Sequence, residues 1–488
     1  MRRLTACLLS LPLMAQAPPP PQAAAGPLAR LRAACLAPSP EMARLRALCD
    51  GIGGRVTGSP AFERALQWGL DGFKEAGVAA RVERFTLRNG WEAGPASMRV
   101  EGPFAFSPKV TTWGWSPACD GTYAVVDGGD GSEAALAALG ARAKGAFVYL
   151  RSAPMTTVEA LFGEYFDTAR QTVQLKALGA AGLIAQSTRP HQLLYRHLDP
   201  SLPEGEVASM PELQIAREDG ARLARILQDG PARARITLAN QVSGPTQAGN
   251  VVAELPGTDL KDEIVLIGAH LDSWELGTGA LDDGCNAAMV TELARLFRAA
   301  DLHPRRTVRF VLFGGEEQGM LGSEAYAAAH GAELARTRAV VIYDEGTGRV
   351  TGFSTGGRKD WHPALEAALA PLGDTAPKAH TDDAFTGTDN YDFLAQGIPT
   401  LVANQDWVDY LPSYHAESDT FDKVEPRALR DQTAEAAVLL WDLANADALP
   451  KRQTRAEIQA LMDATGLPPQ MKAFGLWRGW ADGTRGRK

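Results

Sequence analysis

Four short apolar runs in the second half of the chain constrain its fold more than any other feature. Each opens with apolar or β-branched residues and reaches polar residues or glycine near its carboxyl end: EIVLIGAH (263–270), TVRFVLFGGEE (307–317), AVVIYDEG (339–346) and IPTLVAN (398–404). A helical stretch at 287–300 separates the first two runs. Strands that alternate with helices build a mainly parallel sheet covered by helices. We therefore predict an α/β fold whose ligands bind at the carboxyl ends of the strands.

The composition narrows the class of protein. With 488 residues the chain is long enough for two or three domains, and its 45% hydrophobic and 22% charged residues are typical of a globular protein. The formal net charge is -9 and no block of lysine and arginine occurs, which argues against nucleic acid as a partner. Beyond the first residues, no segment has the roughly 18 consecutive apolar residues that a membrane-spanning helix needs. We therefore predict no integral membrane segment.

The first 17 residues have the order of a signal peptide. Arg2 and Arg3 form a basic start, residues 4–15 form an apolar core, and AQA at 15–17 has the form of a cleavage site. We predict cleavage after about residue 17 and export, either to the periplasm or as a secreted protein. Four cysteines then remain, and they allow three pairings or free thiols between which the sequence does not choose: Cys35, Cys49, Cys119 and Cys285.

Changes in residue composition and pattern along the sequence indicate how the chain is divided into domains. Residues 112–246 alternate short apolar runs with alanine-rich helical stretches and have few acidic clusters, which indicates an inserted domain of ordinary size. The predicted order is a signal peptide (1–17), a low-complexity spacer (18–28), the first part of the main domain (29–111), the inserted domain (112–246), the catalytic part of the main domain (247–449) and a C-terminal extension (450–488).

A histidine and an aspartate occur together where the first run ends. His270 precedes Asp272 by two positions, so both side chains point to the same side of an extended segment. In that geometry a carboxylate can hold one imidazole nitrogen while the other nitrogen faces a metal. A lone histidine at such a place is more often a buried structural residue, so the metal interpretation depends on its neighbours.

Carboxylate pairs follow at two further places. Asp282 and Asp283 directly precede a predicted helix, where a single aspartate would suffice as the N-cap. Glu316 and Glu317 follow two glycines at the end of a strongly apolar strand. Adjacent carboxylates at such a place repel each other unless a cation lies between them or one is protonated.

The third apolar run and a later polar segment contain the remaining candidate site residues. Asp344 and Glu345 repeat the pattern at a strand end, and His415 lies in SYHAESDTFD, shortly after Tyr410 and next to Tyr414. Two imidazoles with a surplus of carboxylates suit two zinc ions that share a bridging carboxylate. A spare glutamate can then transfer protons.

Four of these segments, GAHLDSWELGTGALDDG, GGEEQGMLGS, YDEGTG and YHAESDT, resemble the M28 metallopeptidases, and within that family the carboxypeptidase Q branch. The resemblance extends to GGRVTGS (53–59) and to the inserted region, which is similar to a protease-associated domain; the segment from residue 450 onwards lies outside the comparison. It implies a zinc-exopeptidase fold: a central, mostly parallel mixed sheet flanked by helices, with an inserted protease-associated-like domain.

The resemblance also implies a role for each candidate residue. The ligands of two Zn²⁺ ions per chain would be His270, Asp282, Glu317, Asp344 and His415, with Asp282 bridging the ions. Glu316 would be the general base, and Asp272 would orient His270. The peptide bond between Asp282 and Asp283 would be cis. The substrate would contact Glu345, Tyr410 and Tyr414, of which Glu345 departs from the alanine that is usual in this branch.

Three classes of function are compatible with the resemblance. The favoured one is an exported dinuclear zinc exopeptidase that hydrolyses dipeptides or short peptides with a free amino terminus. A glutaminyl-cyclase-like transferase would use one zinc ion, and a non-catalytic binding protein like the transferrin receptor would have lost its ligands. The complete ligand set favours the peptidase. The sequence leaves open whether the inserted domain closes the site or builds a homodimer.

Overall fold

The computed structural model describes residues 26–200, 202, 205–407 and 410–488, and the predicted signal peptide lies outside these ranges. The described residues form sixteen strands: β1 (Ala79–Leu87), β2 (Trp91–Glu92), β3 (Ala96–Val100), β4 (Val110–Thr112), β5 (Cys119–Asp127), β6 (Phe147–Leu150), β7 (Gly182–Gln186), β8 (Glu212–Ile215), β9 (Ala232–Leu238), β10 (Gln241–Val242), β11 (Thr246–Leu255), β12 (Leu260–His270), β13 (Arg306–Phe313), β14 (Thr337–Ile342), β15 (Val350–Ser354) and β16 (Thr400–Gln405).

Fourteen α-helices occur in the same ranges of the chain: α1 (Pro27–Leu36), α2 (Glu41–Gly51), α3 (Pro60–Glu75), α4 (Glu133–Leu139), α5 (Val158–Ala177), α6 (Arg217–Leu227), α7 (Cys285–Ala299), α8 (Leu321–Ala329), α9 (His362–Leu369), α10 (Asn390–Ala395), α11 (Pro426–Asn445), α12 (Arg455–Thr465), α13 (Leu467–Ala473) and α14 (Trp477–Asp482). None of these helices is long and apolar enough to cross a membrane.

Seven strands form the central sheet in the order β1-β11-β13-β12-β14-β16-β15. The four inner strands β13, β12, β14 and β16 run parallel, and they correspond to the four apolar runs of the sequence. Strands β1 and β11 at one edge and β15 at the other are antiparallel additions. The predicted α/β fold with a mixed sheet around a parallel centre is confirmed.

Helices cover both faces of the central sheet. On β12, Val265 and Ile267 point to one side and Leu266 to the other, because successive side chains of a strand alternate. The first side packs against α3, α7 and α11, and the second packs against α8 and α10. All eight residues of β13 are buried, as expected of a strand that is covered on both faces.

A second sheet lies in the region between β1 and β11. Its seven strands have the order β3-β9-β5-β6-β7-β8-β4, and β5 to β8 run parallel. Its core contains Phe147, Tyr149 and Ile184. Two of its strands lie before the main part of the inserted region: β3 precedes residue 112, the predicted start of the inserted domain, and β4 ends at that residue. The assignment of this region as a protease-associated-like domain stays a prediction.

The C-terminal helices pack onto the main domain. Trp480 of α14 lies in a core that α10, α12 and α13 share. Arg485 donates two hydrogen bonds of 2.8 Å to the carboxylate of Asp392 in α10. Phe474, which follows α13, contacts Tyr165 of α5 at a ring-centroid distance of 5.5 Å. The last segment therefore reaches both the central sheet region and the inserted region.

The four cysteines within the described ranges are free thiols. Cys49 and Cys285 are buried in the main core, and burial raises the pKa of the Cys49 thiol to about 11. Of the alternatives that the sequence leaves open, the structure has the free thiols. Cys49 and Cys285 act there as small apolar core residues, because a buried thiol with a raised pKa is unreactive.

Candidate metal centre

Six side chains meet at the carboxyl edge of the central sheet: His270, Asp282, Glu316, Glu317, Asp344 and His415. The first lies at the end of β12, the glutamates follow β13 and the second aspartate follows β14. Because these strands are parallel neighbours, their carboxyl ends lie side by side. Asp282 lies in the turn before α7 and His415 in the loop between β16 and α11. The structure therefore brings together all the metal ligands predicted from the sequence.

The side chains form two clusters within which the ligand atoms lie no more than 4.8 Å apart: His270 with Glu316 and Asp344, and Asp282 with Glu317 and His415. Asp282 connects the clusters, because its Oδ1 lies 3.1 Å from His270 Nε2 and its Oδ2 lies 3.5 Å from His415 Nε2. Asp344 Oδ1 is 3.1 Å from His270 Nε2, and Glu317 Oε2 is 2.8 Å from His415 Nε2. Each imidazole therefore faces two carboxylates, one of which is shared.

The donor set fits two cations. Within the described part of the chain, Asp282 Oδ2 and both carboxylate oxygens of Glu317 are buried without a hydrogen-bond partner. His415 Nε2 lies 2.8 Å from Glu317 Oε2, so both atoms can face one ion. Burial of unpaired carboxylate oxygens is unfavourable unless a cation compensates it. Imidazole nitrogen and carboxylate oxygen are ligands that zinc accepts.

Burial changes the proton affinity of the clusters. It raises the pKa of Glu317 to about 7, raises that of Asp344, and raises that of Glu316 well above the usual range. For His270 and His415 burial lowers the pKa, but the neighbouring carboxylates outweigh this effect and raise it. The clusters thus bind protons more tightly than free side chains do, and cation binding would displace these protons.

The aspartate pair before α7 does not cap that helix. The N-cap residue is Gly284, and the Asp283 carboxylate instead accepts hydrogen bonds from the His270 backbone N–H at 3.1 Å and from Asn286 Nδ2 at 2.5 Å. The peptide bond between Asp282 and Asp283 is cis, as the resemblance implies. The alternative of simple helix capping is therefore excluded for both residues.

Two buried side chains hold the turn that carries Asp282. The Asp419 carboxylate accepts hydrogen bonds from the three backbone N–H groups of residues 280–282, at 3.0, 2.7 and 3.2 Å. Arg55 donates to the carbonyl groups of residues 278–279 at 2.8 and 2.9 Å. These contacts fix the backbone from both sides, so the shared carboxylate has a defined position.

Asp272 supports both clusters. His270 Nδ1 lies 3.0 Å from the Asp272 carbonyl oxygen and 3.7 Å from its carboxylate, so the carbonyl is the nearer acceptor. The Asp272 carboxylate accepts hydrogen bonds from the backbone N–H groups of Glu316 and Glu317, each at 3.3 Å. Asp272 thus holds the imidazole with its main chain and the glutamate pair with its side chain.

The clusters open into a cavity of about 1860 Å³. Its aromatic lining includes Phe162 and Tyr165 on α5, Trp407 after β16, and Phe474 in the C-terminal segment. Pockets for single small molecules have volumes of about 300 to 1,000 Å³. The cavity therefore has room for a short peptide.

Comparison with known proteins places the chain in a family. The model of peptidase family M28 matches residues 250–440, which contain both clusters. Mouse carboxypeptidase Q is 27% identical over 417 residues, which cover 84% of this chain and 86% of the relative. A solved structure titled as a Peptidase M28 precursor from Shewanella amazonensis SB2B is 28% identical with a TM-score of 0.78, and the alignment covers 88% of this chain and 98% of that one. The part of the chain that carries both clusters is therefore an M28 peptidase domain.

Two further relatives agree with this assignment. Human carboxypeptidase Q is 26% identical over 421 residues, which cover 84% of this chain and 86% of the relative. The zinc aminopeptidase BSAP from Bacillus subtilis is 18% identical with a TM-score of 0.66, covers 82% and 93% of the two chains, and supports the fold alone. The M28 chain is therefore a metallopeptidase close to carboxypeptidase Q, as its motifs predict.

The three predicted substrate contacts of the M28 peptidase line its cavity. Tyr414 stacks on His415 at a ring-centroid distance of 3.8 Å, and its hydroxyl lies 2.7 Å from that of Tyr165. Tyr410 packs against Tyr414 at 5.5 Å. Glu345 accepts a backbone hydrogen bond of 2.8 Å from the last residue of β16, and burial raises its pKa to about 8.

Two residues that the sequence pattern does not predict lie close to the clusters. His197, between β7 and β8, has its Nδ1 3.1 Å from His415 Nδ1. Asp389, directly before α10, is fully buried near His270 and Asp344, and burial raises its pKa well above the usual range. Neither residue follows one of the four apolar runs, so the strand-end pattern does not find them. The acidic stretch TDDAFTGTDN (381–390) is a signal for Asp389.

Proposed function

We propose that this M28 peptidase is a dinuclear zinc exopeptidase that hydrolyses dipeptides and short peptides with a free amino terminus. The observation that carries the proposal is the pair of ligand clusters that share Asp282 beside a large cavity. Zinc is the cation named for the similar Bacillus subtilis aminopeptidase, and it accepts nitrogen and oxygen ligands. The signal peptide predicted at residues 1–17 supports an exported enzyme.

Zinc ions bound at the clusters would supply Lewis acidity for the hydrolysis of a peptide bond. The chain itself positions groups and moves protons. Glu316 lines the cavity, and burial raises its pKa, which makes its carboxylate a stronger base that can take a proton from water and deliver it to the leaving amine. Asp272 holds the backbone of Glu316 and thereby keeps this carboxylate beside the clusters.

The charge of the cavity supports recognition of a free amino terminus. Glu316, Asp344 and Glu345 all line it close to the clusters, and a group of carboxylates favours a cationic ligand. Glu345 is largely protonated at neutral pH because of its raised pKa, and an ammonium group beside it would favour the ionised form. Recognition of the amine thus has a candidate residue that metal binding does not require.

The two clusters also separate the peptidase from the alternatives. A glutaminyl-cyclase-like transferase would use one zinc ion, whereas His270 with Asp344 and His415 with Glu317 offer two ligand sets that share Asp282 here. A binding protein without catalysis would not need unpaired buried carboxylates next to a general-base candidate. The geometry therefore favours hydrolysis with two ions.

Metal analysis and a matched set of substrates test the proposal. We expect two zinc ions per chain, loss of turnover on chelation and its recovery with zinc. Acetylation of a dipeptide's amino group should lower kcat/KM far more than amidation of its carboxyl group, because an empty, desolvated anionic subsite remains. Equal cleavage of acetylated and free dipeptides would refute recognition of the amine. One zinc ion with ammonia release from amino-terminal glutamine would support the cyclase instead.

A further inference from the structure

A short antiparallel pairing joins the inserted region to the loop that carries His415. The Arg196 backbone N–H donates to the His415 carbonyl at 3.0 Å, and the Glu417 N–H donates to the Leu194 carbonyl at 3.0 Å. The same two segments form an isolated antiparallel bridge between residues 195 and 416. His415 has a φ of 57°, in the left-handed region that side chains rarely adopt. The pairing therefore holds an otherwise unfavourable backbone conformation.

The inserted region also contacts the His415 ring. His415 Nε2 faces Asp282 and Glu317, and Nδ1 faces away from the cluster. Two groups of the inserted region lie next to Nδ1: the Arg196 carbonyl oxygen at 2.9 Å and His197 Nδ1 at 3.1 Å. Both rings are buried, so these contacts are shielded from solvent.

Glu164 of α5 lies on the far side of the His197 ring. Its Oε1 is 3.6 Å from His197 Nε2, which is longer than a hydrogen bond, and this nitrogen has no hydrogen-bond partner among the described residues. The Thr188 hydroxyl donates to the other Glu164 oxygen at 3.2 Å, and the Tyr195 hydroxyl also donates to this carboxylate. The carboxylate is therefore held in place beside the imidazole.

These contacts determine where each ring carries its proton. His415 Nε2 can act as a metal ligand only when the proton is on Nδ1. That N–H then points at the Arg196 carbonyl and at His197 Nδ1, which must be an acceptor and place its own proton on Nε2, towards Glu164. The opposite arrangement, with His197 donating to His415 Nδ1, would put a proton on the His415 nitrogen that faces the cluster.

We propose that His197 and Glu164 are positioning residues that fix the tautomer and orientation of His415, so that the inserted region is a functional part of the metal centre. The inference rests on the proposed dinuclear zinc function. Groups that hold the second nitrogen of a ligating histidine typically change metal affinity by about 10- to 100-fold when they are replaced. The expected effect falls on one of the two ions, because His415 belongs to one cluster.

Zinc binding by the full-length chain tests the inference without reference to activity. His197→Phe keeps an aromatic ring but removes the acceptor, and it should weaken binding of one zinc ion by about 10- to 100-fold in competition with a chelating dye. His197→Asn places an oxygen near the position of Nδ1 and should recover most of the affinity. Tyr149→Phe is the matched control, because it changes a buried ring of the same region whose hydroxyl has no partner among the described residues.

The outcomes separate this inference from the proposed function. Wild-type zinc affinity in His197→Phe would overturn the inference, as would equal losses in the Phe and Asn variants, which would indicate packing alone. If His197→Phe does not fold, Glu164→Leu should weaken binding of the same ion while Glu164→Gln does not, and unchanged binding in Glu164→Leu overturns the inference. A wild-type chain that binds fewer than two zinc ions would overturn the proposed function itself.

Discussion

Asp419 is the side chain whose replacement tests how the shared carboxylate is held. It accepts three backbone hydrogen bonds from residues 280–282, and it is buried. Asp419→Ala leaves three buried N–H donors without an acceptor, at about 1–3 kcal/mol each, or about 3–9 kcal/mol together. Water that enters the vacated space would offset part of this loss. We therefore expect the free energy of unfolding to fall by about 3 kcal/mol or more.

Asp419→Asn removes fewer of these hydrogen bonds than Asp419→Ala does. The amide oxygen can replace Oδ1, which accepts from the N–H groups of Ala280 and Leu281, while the amide nitrogen faces the Asp282 N–H that Oδ2 accepts. One acceptor is lost, so we expect about 1–3 kcal/mol. Glu425→Ala is a matched carboxylate control, because Glu425 accepts a single backbone N–H at the start of α11 and its loss should cost about 1 kcal/mol.

Urea unfolding of the metal-free protein, followed by tryptophan fluorescence, measures these differences without the stabilisation that bound zinc adds. It is best done at pH 8, because burial raises the pKa of Asp419 to about 7 and the carboxylate must be ionised. The zinc content of Asp419→Ala should also fall below two ions, since the affected turn carries Asp282. The reasoning is refuted if Asp419→Ala lies within about 1 kcal/mol of the wild type, or if Asp419→Asn is the less stable variant.

Three further predictions follow from the structure. Glu316→Gln should lower kcat by about 10²- to 10⁴-fold while zinc content stays near two, and Glu317→Gln should deplete zinc; reversed phenotypes would exchange the two roles. Glu275→Gln replaces the charged partner of the buried Arg196 guanidinium, which is 3.1 Å away, and should lower stability to urea by about 1–3 kcal/mol; an unchanged midpoint contradicts this. Burial raises the pKa of Glu41 to about 8, against 4.5 in an unfolded chain, so the stability it contributes is complete below about pH 4.5 and is lost as pH rises through 8. Glu41→Gln should therefore gain urea resistance relative to the wild type between pH 5 and pH 9, and parallel pH profiles would exclude the effect.

The ligands at the strand ends could be predicted from the sequence because each of them directly follows a recognisable apolar run. Glu316 and Glu317 follow β13 and two glycines, and Asp344 follows β14; in the parallel sheet β12, which ends at His270, lies between these two strands. Parallel pairing then brings residues from separate runs to one edge. Each apolar run followed by polar residues shows both a strand and the place where it ends. These side chains can therefore be grouped without knowing which distant segments contact each other.

Contacts between distant segments could not be predicted in this way. His197 lies 218 positions before His415, and no periodicity in the sequence relates the two. Their contact arises only when the inserted region packs against the loop after β16. The role of Asp272 could be predicted only in part. The alternation of side chains along a strand predicts that its carboxylate lies on the same side as His270. However, β12 ends at His270, and beyond this end the Asp272 carbonyl group is the nearer acceptor for the imidazole.

Much of the cavity wall belongs to parts of the chain that carry no metal ligand. The ligand residues belong to the ends of buried strands and adjoining loops, whereas much of the apolar wall comes from α5 and from Phe474 near the C-terminus. A change at a wall position such as Phe162 leaves every ligand in place. Over evolutionary time, relatives with this architecture can therefore acquire new peptide preferences through substitutions in the two outer segments, while the hydrolytic chemistry on the sheet is inherited unchanged.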